Sequence, residues 1–452
     1  MRGDDRPSGA PAGEPGAARL MAYAAPALPL AILTLPFYVL VPAFYTQSLA
    51  LPIAAVGQVL LAVRLIDAFA DPIVGVLADR WRPSAGRRRL WVAAATPFVV
   101  VAAWQVFRPG EGAGLTHLAV WASLLSIAWT CSQIPYAAWG AELSSSYAGR
   151  SRVSAFREGL TVVGTLLALA APAILPALGW PGERAALSAF AFAVALLLPL
   201  AVATAVAVVP EPPDLSTRQT GWREGLGHLR ANRPFVRLIV AFLVNGLANG
   251  LPATLFLFFV QRKLQSPDSA GPLLVLYFVC GILGVPFWLM LARRTSKHRA
   301  WCLGMLLSCM AFLAAPLLGP GDVLVFAAVV VVTGLALGAD VILPASIQAD
   351  VIDVDTAASG QQRAGLYMAL WALATKLALA AAVGIAFPLL GAAGFDPAAG
   401  IETPRGLLVL GLLYAALPVV LKLGSVALVW RFPLDESSHA ALRAAIEARR
   451  RD

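Results

Sequence analysis

Apolar residues run along this chain in long unbroken blocks, and polar residues gather in short clusters between them. The blocks fall at roughly 20–47, 52–79, 90–108, 114–142, 158–179, 185–209, 235–262, 270–292, 299–318, 322–350, 362–391 and 405–431. Each is about 20 residues or longer, enough for an α-helix to cross a hydrocarbon core of about 30 Å. Strands of a membrane barrel would instead alternate apolar and polar positions. The pattern therefore predicts an all-α membrane protein with twelve transmembrane helices.

The longest polar stretch inside the chain, Pro210 to Pro234, divides these spans six and six. The expected organisation is a disordered N-terminal tail (1–19), a six-helix bundle (20–209), a linker (210–234), a second six-helix bundle (235–432) and a helical C-terminal tail (433–452). The bundles echo each other: "GVLADRWRPSAGRRRLW" in the first and "GVPFWLMLARRTSKHRAW" in the second both pass from a Gly-containing apolar helix through a basic loop to Trp91 or Trp301. Two pseudo-symmetric six-helix bundles are an arrangement in which alternating-access transporters hold a site between the halves.

Composition agrees. Of 452 residues, 59% are hydrophobic and 13% charged, against about a quarter charged in soluble domains. The net charge of +9 suggests nucleic acid only until its distribution is read. Arg80, Arg82 and Arg87 to Arg89 share one loop, and Arg150, Arg152 and Arg157 another. Arg218 to Arg237, then Arg293 to Arg299, then Arg443 to Arg451 follow at every second connection. That is the positive-inside bias. It places both termini in the cytoplasm and leaves no need for a nucleic-acid partner. The Ala-, Arg- and Pro-heavy composition points to a bacterial inner (cytoplasmic) membrane. The four cysteines, Cys131, Cys280, Cys302 and Cys309, lie in apolar runs without paired spacing, so neither disulfide nor cofactor is expected. The four scattered histidines offer no nucleophile–base pair, which argues against an enzyme. A monomer in the bilayer acting on a small-molecule substrate is the expectation.

The second block carries charge where lipid-facing helices carry none. Asp67 and Asp71 are four residues apart and share a helix face, as does Arg64 three residues earlier. A charge at that depth costs at least about 2.5–3.5 kcal/mol unless it is paired, ion-bound or hydrated. Arg64 can neutralise one carboxylate, leaving the other in need of a cation or proton. Pro72 deprives the Ala68 carbonyl of its helical donor, so the cluster offers oxygens suited to a hard cation such as Na+. A structural Arg–Asp pair is the plainer alternative. Lys376 stands alone mid-span and needs an anionic partner, for which Asp67 or Asp71 would serve. Further polar positions that could line a substrate cavity are Tyr38, Trp129, Gln133, Asn245, Asn249, Asp340 and Trp371. Helix glue or core packing would equally explain the amides and the tryptophans.

"RLIDAFADPIVGVLADRWRPSAGRRRLW" resembles the signature of the glycoside–pentoside–hexuronide:cation symporters, the melibiose-permease branch of the major facilitator superfamily. The similarity continues at "QIPYAAWGAELSSSYAGRSRVSAFREG" and at "ADVIDVD…QQRAGLYMALWALATK". The resemblance implies the major facilitator fold and symport of a small organic solute, a sugar or glycoside, with Na+ or H+. It implies that Asp67, Asp71 and Thr130 bind the cation, with Arg64 and Lys376 as charge partners. It implies a substrate role for Arg157, and an inner gate built from Arg293, Asp350, Asp353 and Arg363. The family's helix-IV aspartate is Gln133 here, and the first span has no acidic residue, so both sugar-gripping carboxylates are missing. A related branch carries lysophospholipids in animals, which keeps an amphiphilic solute open. A non-transporting sensor or scaffold on the same fold is the remaining alternative.

Overall fold

The computed structural model describes residues 14–81, 83, 86–180, 182–216, 222–396 and 401–451. Residues 1–13 of the expected N-terminal tail and part of the linker lie outside the described residues. The first half contains α1 (Ala17–Ala24 and Ala27–Leu35, a π-helical turn Pro36–Leu40, then Val41–Gln47) and α2 (Ile53–Arg80). It continues with α3 (Arg87–Phe107), α4 (Leu115–Glu142), α5 (Tyr147–Ile174) and α6 (Glu183–Val208). The second half contains α7 (Arg233–Phe258, extended by a π-helical turn Phe259–Lys263), α8 (Ala270–Arg294) and α9 (Lys297–Phe312). It closes with α10 (Val323–Ser359), α11 (Ala364–Ala392) and α12 (Pro404–Gly411, a π-helical turn Leu412–Ala416, then Leu417–Val429). A short helix, Trp222–Ala231, lies between the halves, and another, Glu436–Arg451, follows α12. Phe395–Asp396 and Ile401–Glu402 form a two-residue antiparallel pair.

Eleven of the described helices are long and apolar enough to cross a membrane. The one long helix outside that set is α2: its 28 residues match its neighbours, but Arg64, Asp67, Asp71, Asp79 and Arg80 lower its hydropathy. The helix that departs from the membrane pattern is the helix that carries the candidate chemistry.

Packing shows where the halves meet. One hydrophobic core lies within α1–α6 and another within α7–α12. A third crosses between them, joining Val74, Ile134 and Ala138 to Ala364, Tyr367, Met368 and Ala369. These residues sit toward the ends of α2 and α4 and the start of α11, on the face that also carries residue 14 and the last helix; we call it the terminal face. There α2 and α11 cross at Gly75 and Gly365. A Cβ on Gly365 would lie 2.4 Å from the Gly75 carbonyl oxygen, so only glycine permits this approach.

Candidate functional site

Asp67 and Asp71 point from one face of α2 into the space between the halves, and both are buried, 5% and 1% exposed. From α4, the fully buried Thr130 hydroxyl lies 2.9 Å from Asp67 Oδ1 and 3.2 Å from Asp71 Oδ1, so one proton is shared between two acceptors. From α11 in the other half, Lys376 Nζ lies 2.7 Å from Asp67 Oδ2 and 2.6 Å from Asp71 Oδ2. One ammonium between two carboxylates leaves a formal charge of −1. The donor set is carboxylate oxygen plus hydroxyl, the hard oxygen chemistry of an alkali cation or proton.

Arg64 does not join this cluster, contrary to the i, i+3 expectation. It is exposed and stacks over Tyr38 of α1, 4.1 Å from the ring centre. The reason is competition: Lys376 already occupies the inner oxygens of both carboxylates, and a weakly hydrated guanidinium plane gains from an aromatic face. Tyr38, Arg64, Asp67 and Ser126 line a cavity of about 80 Å³ on the side of Asp67 away from the terminal face. Trp129 lines a smaller adjoining cavity that also reaches Asp67, and its indole N–H is buried without an acceptor.

A second polar layer closes the terminal face. Asp79 of α2 accepts the backbone N–H groups of Gly365 and Leu366 at 2.8 and 2.9 Å, capping α11 from the opposite half. Asp79 also pairs with Arg88, which pairs with Glu142. Arg150 of α5 reaches across to α10, 3.3 Å from Asp350 and 2.7 Å from Asp353. Lys297 also holds Asp350, and His439 of the last helix lies 3.1 Å from Asp353. Ser151 and Ser346 bond across the halves at 2.9 Å.

The family described as MFS/sugar transport protein matches residues 22–436. The chain belongs to that family. A sodium-dependent lysophosphatidylcholine symporter of Xenopus tropicalis is 26% identical, the match covering 89% of this chain and 86% of its own. The inner membrane symporter YicJ of Escherichia coli is 25% identical over 86% of this chain and 85% of its own. A bacterial homologue of the iron transporter ferroportin, solved in an outward-facing state, superposes with TM-score 0.68 at 14% identity, covering 92% of this chain and 99% of that one. The Escherichia coli fucose:proton symporter FucP gives 0.59 at 15%, covering 90% and 97%. At such identities the solved structures establish the fold alone. This is a major facilitator transporter, an integral membrane protein and not an enzyme.

Other sequence-predicted residues of this family member are placed elsewhere. Asp340 lies in a polar cluster of the second half. Its carboxylate accepts from Trp301 (2.7 Å), Lys422 (3.0 Å), Asn245 and Asn249 (3.2 Å each), a cluster that ties α7, α9, α10 and α12 together. A lone lysine inside "LPVVLKLGSV" is the sequence signal for Lys422. Arg157 pairs with its neighbour Glu158 and lines a small cavity of about 10 Å³ nearer the terminal face. Trp371 stacks on Phe242, centroids 3.6 Å apart. Gln133 is half-buried on α4, one turn beyond Trp129. Among the gate candidates, Asp350 and Asp353 pair across the halves, and Arg363 pairs within its own half with Asp355 at 2.7 Å. Arg293 does not join: it is exposed and forms no ion pair among the described residues, while Lys297, the first residue of the next helix, pairs with Asp350. Arg150, which the sequence places among loop charges, and Asp79, at the end of the second predicted span, are the residues that bridge.

Proposed function

We propose that this transporter is a symporter that couples a small organic solute to Na+ or H+, with the cation held by Asp67, Asp71 and Thr130. The observation that carries the reading is Lys376, a cation from one half clamped between two buried carboxylates of the other. An incoming cation competes with that ammonium for the same oxygens. Binding therefore loosens a link between the halves and alters their rocking equilibrium, while Asp79 and Arg150 hold the terminal face shut until it does. Solute and cation together must favour the transition more than either alone, which is a reciprocal linkage.

The named symporters among the relatives support cation coupling, and the sodium-dependent one supports Na+. The glycoside–pentoside–hexuronide resemblance favours a sugar or glycoside. The absence of acidic residues from α1, the glutamine at position 133 and the lysophosphatidylcholine symporters among the relatives favour an amphiphile as the second reading. A monomer in a bacterial inner membrane, with the terminal face cytoplasmic, completes the proposal. Purified protein melted in sodium against choline, and across pH, tests it. The cation is expected to raise Tm in the native protein and to lose that effect in Asp71→Asn. An unchanged cation response in Asp71→Asn removes the assignment.

A further inference from the structure

Around the central site stand two acidic side chains, Asp67 and Asp71, and two basic ones, Arg64 and Lys376. Arg157 is matched with Glu158, Lys422 with Asp340, and Lys376 with both Asp67 and Asp71. Arg64 alone has no carboxylate partner among the described residues. It is held against Tyr38 and lines the cavity.

That position is tolerable while water reaches it. Once the halves close around a solute, the guanidinium loses its water and needs an anion. The charge count points the same way. These four groups sum to zero, and a coupling cation at Asp67 and Asp71 brings the closed site to +1. Apart from Asp67, which the coupling cation engages, the other polar groups around the cavity can donate as well. The Ser126 hydroxyl lines it, and the Trp129 indole N–H is buried beside it without an acceptor. A hydroxyl-rich neutral solute would call for carboxylate acceptors beyond the one that the cation engages. What stands there suits a group rich in acceptors.

We infer that the transported solute carries an anionic group, a carboxylate or a phosphate, which pairs with Arg64 in the cavity between α1 and α2. This rests on the cation-coupled reading above. It also supplies the coupling that reading requires. The cation at Asp67 and the anion at Arg64 lie one helical turn apart and attract each other, so each strengthens the other's binding. Tyr38 fixes the guanidinium plane and leaves its N–H edge free for a two-pronged contact.

The test is a thermal-shift titration of the purified full chain, with and without the coupling cation, using solutes that differ in charge. The pairs are glucuronate against glucose, glycerol 3-phosphate against glycerol, and lysophosphatidylglycerol against monoacylglycerol. The charged member of at least one pair is expected to raise Tm, more strongly with the cation present. The first two pairs and the third separate a water-soluble cargo from a lipid one. Arg64→Gln is expected to weaken that binding roughly tenfold, and Arg64→Lys to retain part of it. The inference is overturned if only neutral members bind, if no charged member binds, or if charged binding survives intact in Arg64→Gln. The cation response measured without solute, native against Asp71→Asn, reads the coupling site separately, so the two ideas fail independently.

Discussion

Lys376 sits between α2 and α11 with two carboxylates around it, and it is the counter-charge that lets them be buried. Removing it strands both acids. In Lys376→Met the two carboxylates have no resident cation, and the variant must draw one from solution. Its Tm is expected to fall below that of the native protein in choline buffer and to rise more steeply with sodium or acid. A melt that ignores the cation in this variant would contradict the competition argument. Thr130→Val tests the third proposed ligand: it removes one shared hydrogen bond, worth about 1 kcal/mol, and is expected to weaken cation binding about fivefold, with Thr130→Ser restoring it. Charges of this kind are legible in sequence because an apolar background makes them stand out. Asp67, Asp71 and Lys376 are readable for that reason, and so is Lys422. Which charge meets which is not readable. Arg64 lies within reach of Asp67 along the helix, yet Lys376 from a helix about 300 residues later, three turns into α11, takes the position.

Between elements, the decisive contact is the crossing of α2 and α11. Glycines at positions 75 and 365 let the backbones approach, and Asp79 then caps the first turn of α11, where unpaired N–H groups and the helix dipole favour a carboxylate. The hydrophobic pattern reveals both helices but not their crossing, since small residues recur throughout the spans and only the fold selects the pair that touches. Gly365→Val places atoms inside the distance of the Gly75 carbonyl, so the helices must separate on the terminal face. Met368 lies in the core that this crossing seals. In a background with the four native cysteines replaced, a Met368→Cys probe is expected to react slowly with a membrane-impermeant maleimide. Adding Gly365→Val should raise that rate. An unchanged rate would show that the crossing does not hold the face shut.

Across the whole molecule, the proposed mechanism has the ion pairs on the terminal face set which side is open. In that proposal Arg150 carries most of the closure, because it is buried and is the cation from α1–α6 that meets Asp350 and Asp353 of α10. Lys297 and His439 also touch these aspartates, but both belong to the second half or its tail and move with them. Arg150→Gln therefore removes the cross-half charge while leaving each half its own pairs. Breaking a buried pair by removing one partner costs about 3–5 kcal/mol, and that cost falls on the closed arrangement alone, since separation exposes both aspartates to water. The population should shift toward opening on the terminal face by a factor of about 100 or more, on the order of 1.4 kcal/mol for each tenfold. Spin labels at the terminal ends of α5 and α10 would report this as a longer distance distribution. Deleting the helix Glu436–Arg451 should shift it far less, because Arg150 keeps both aspartates in that variant. If deletion of the tail opened the face as widely as Arg150→Gln, the tail helix and not the inter-half pair would be the lock.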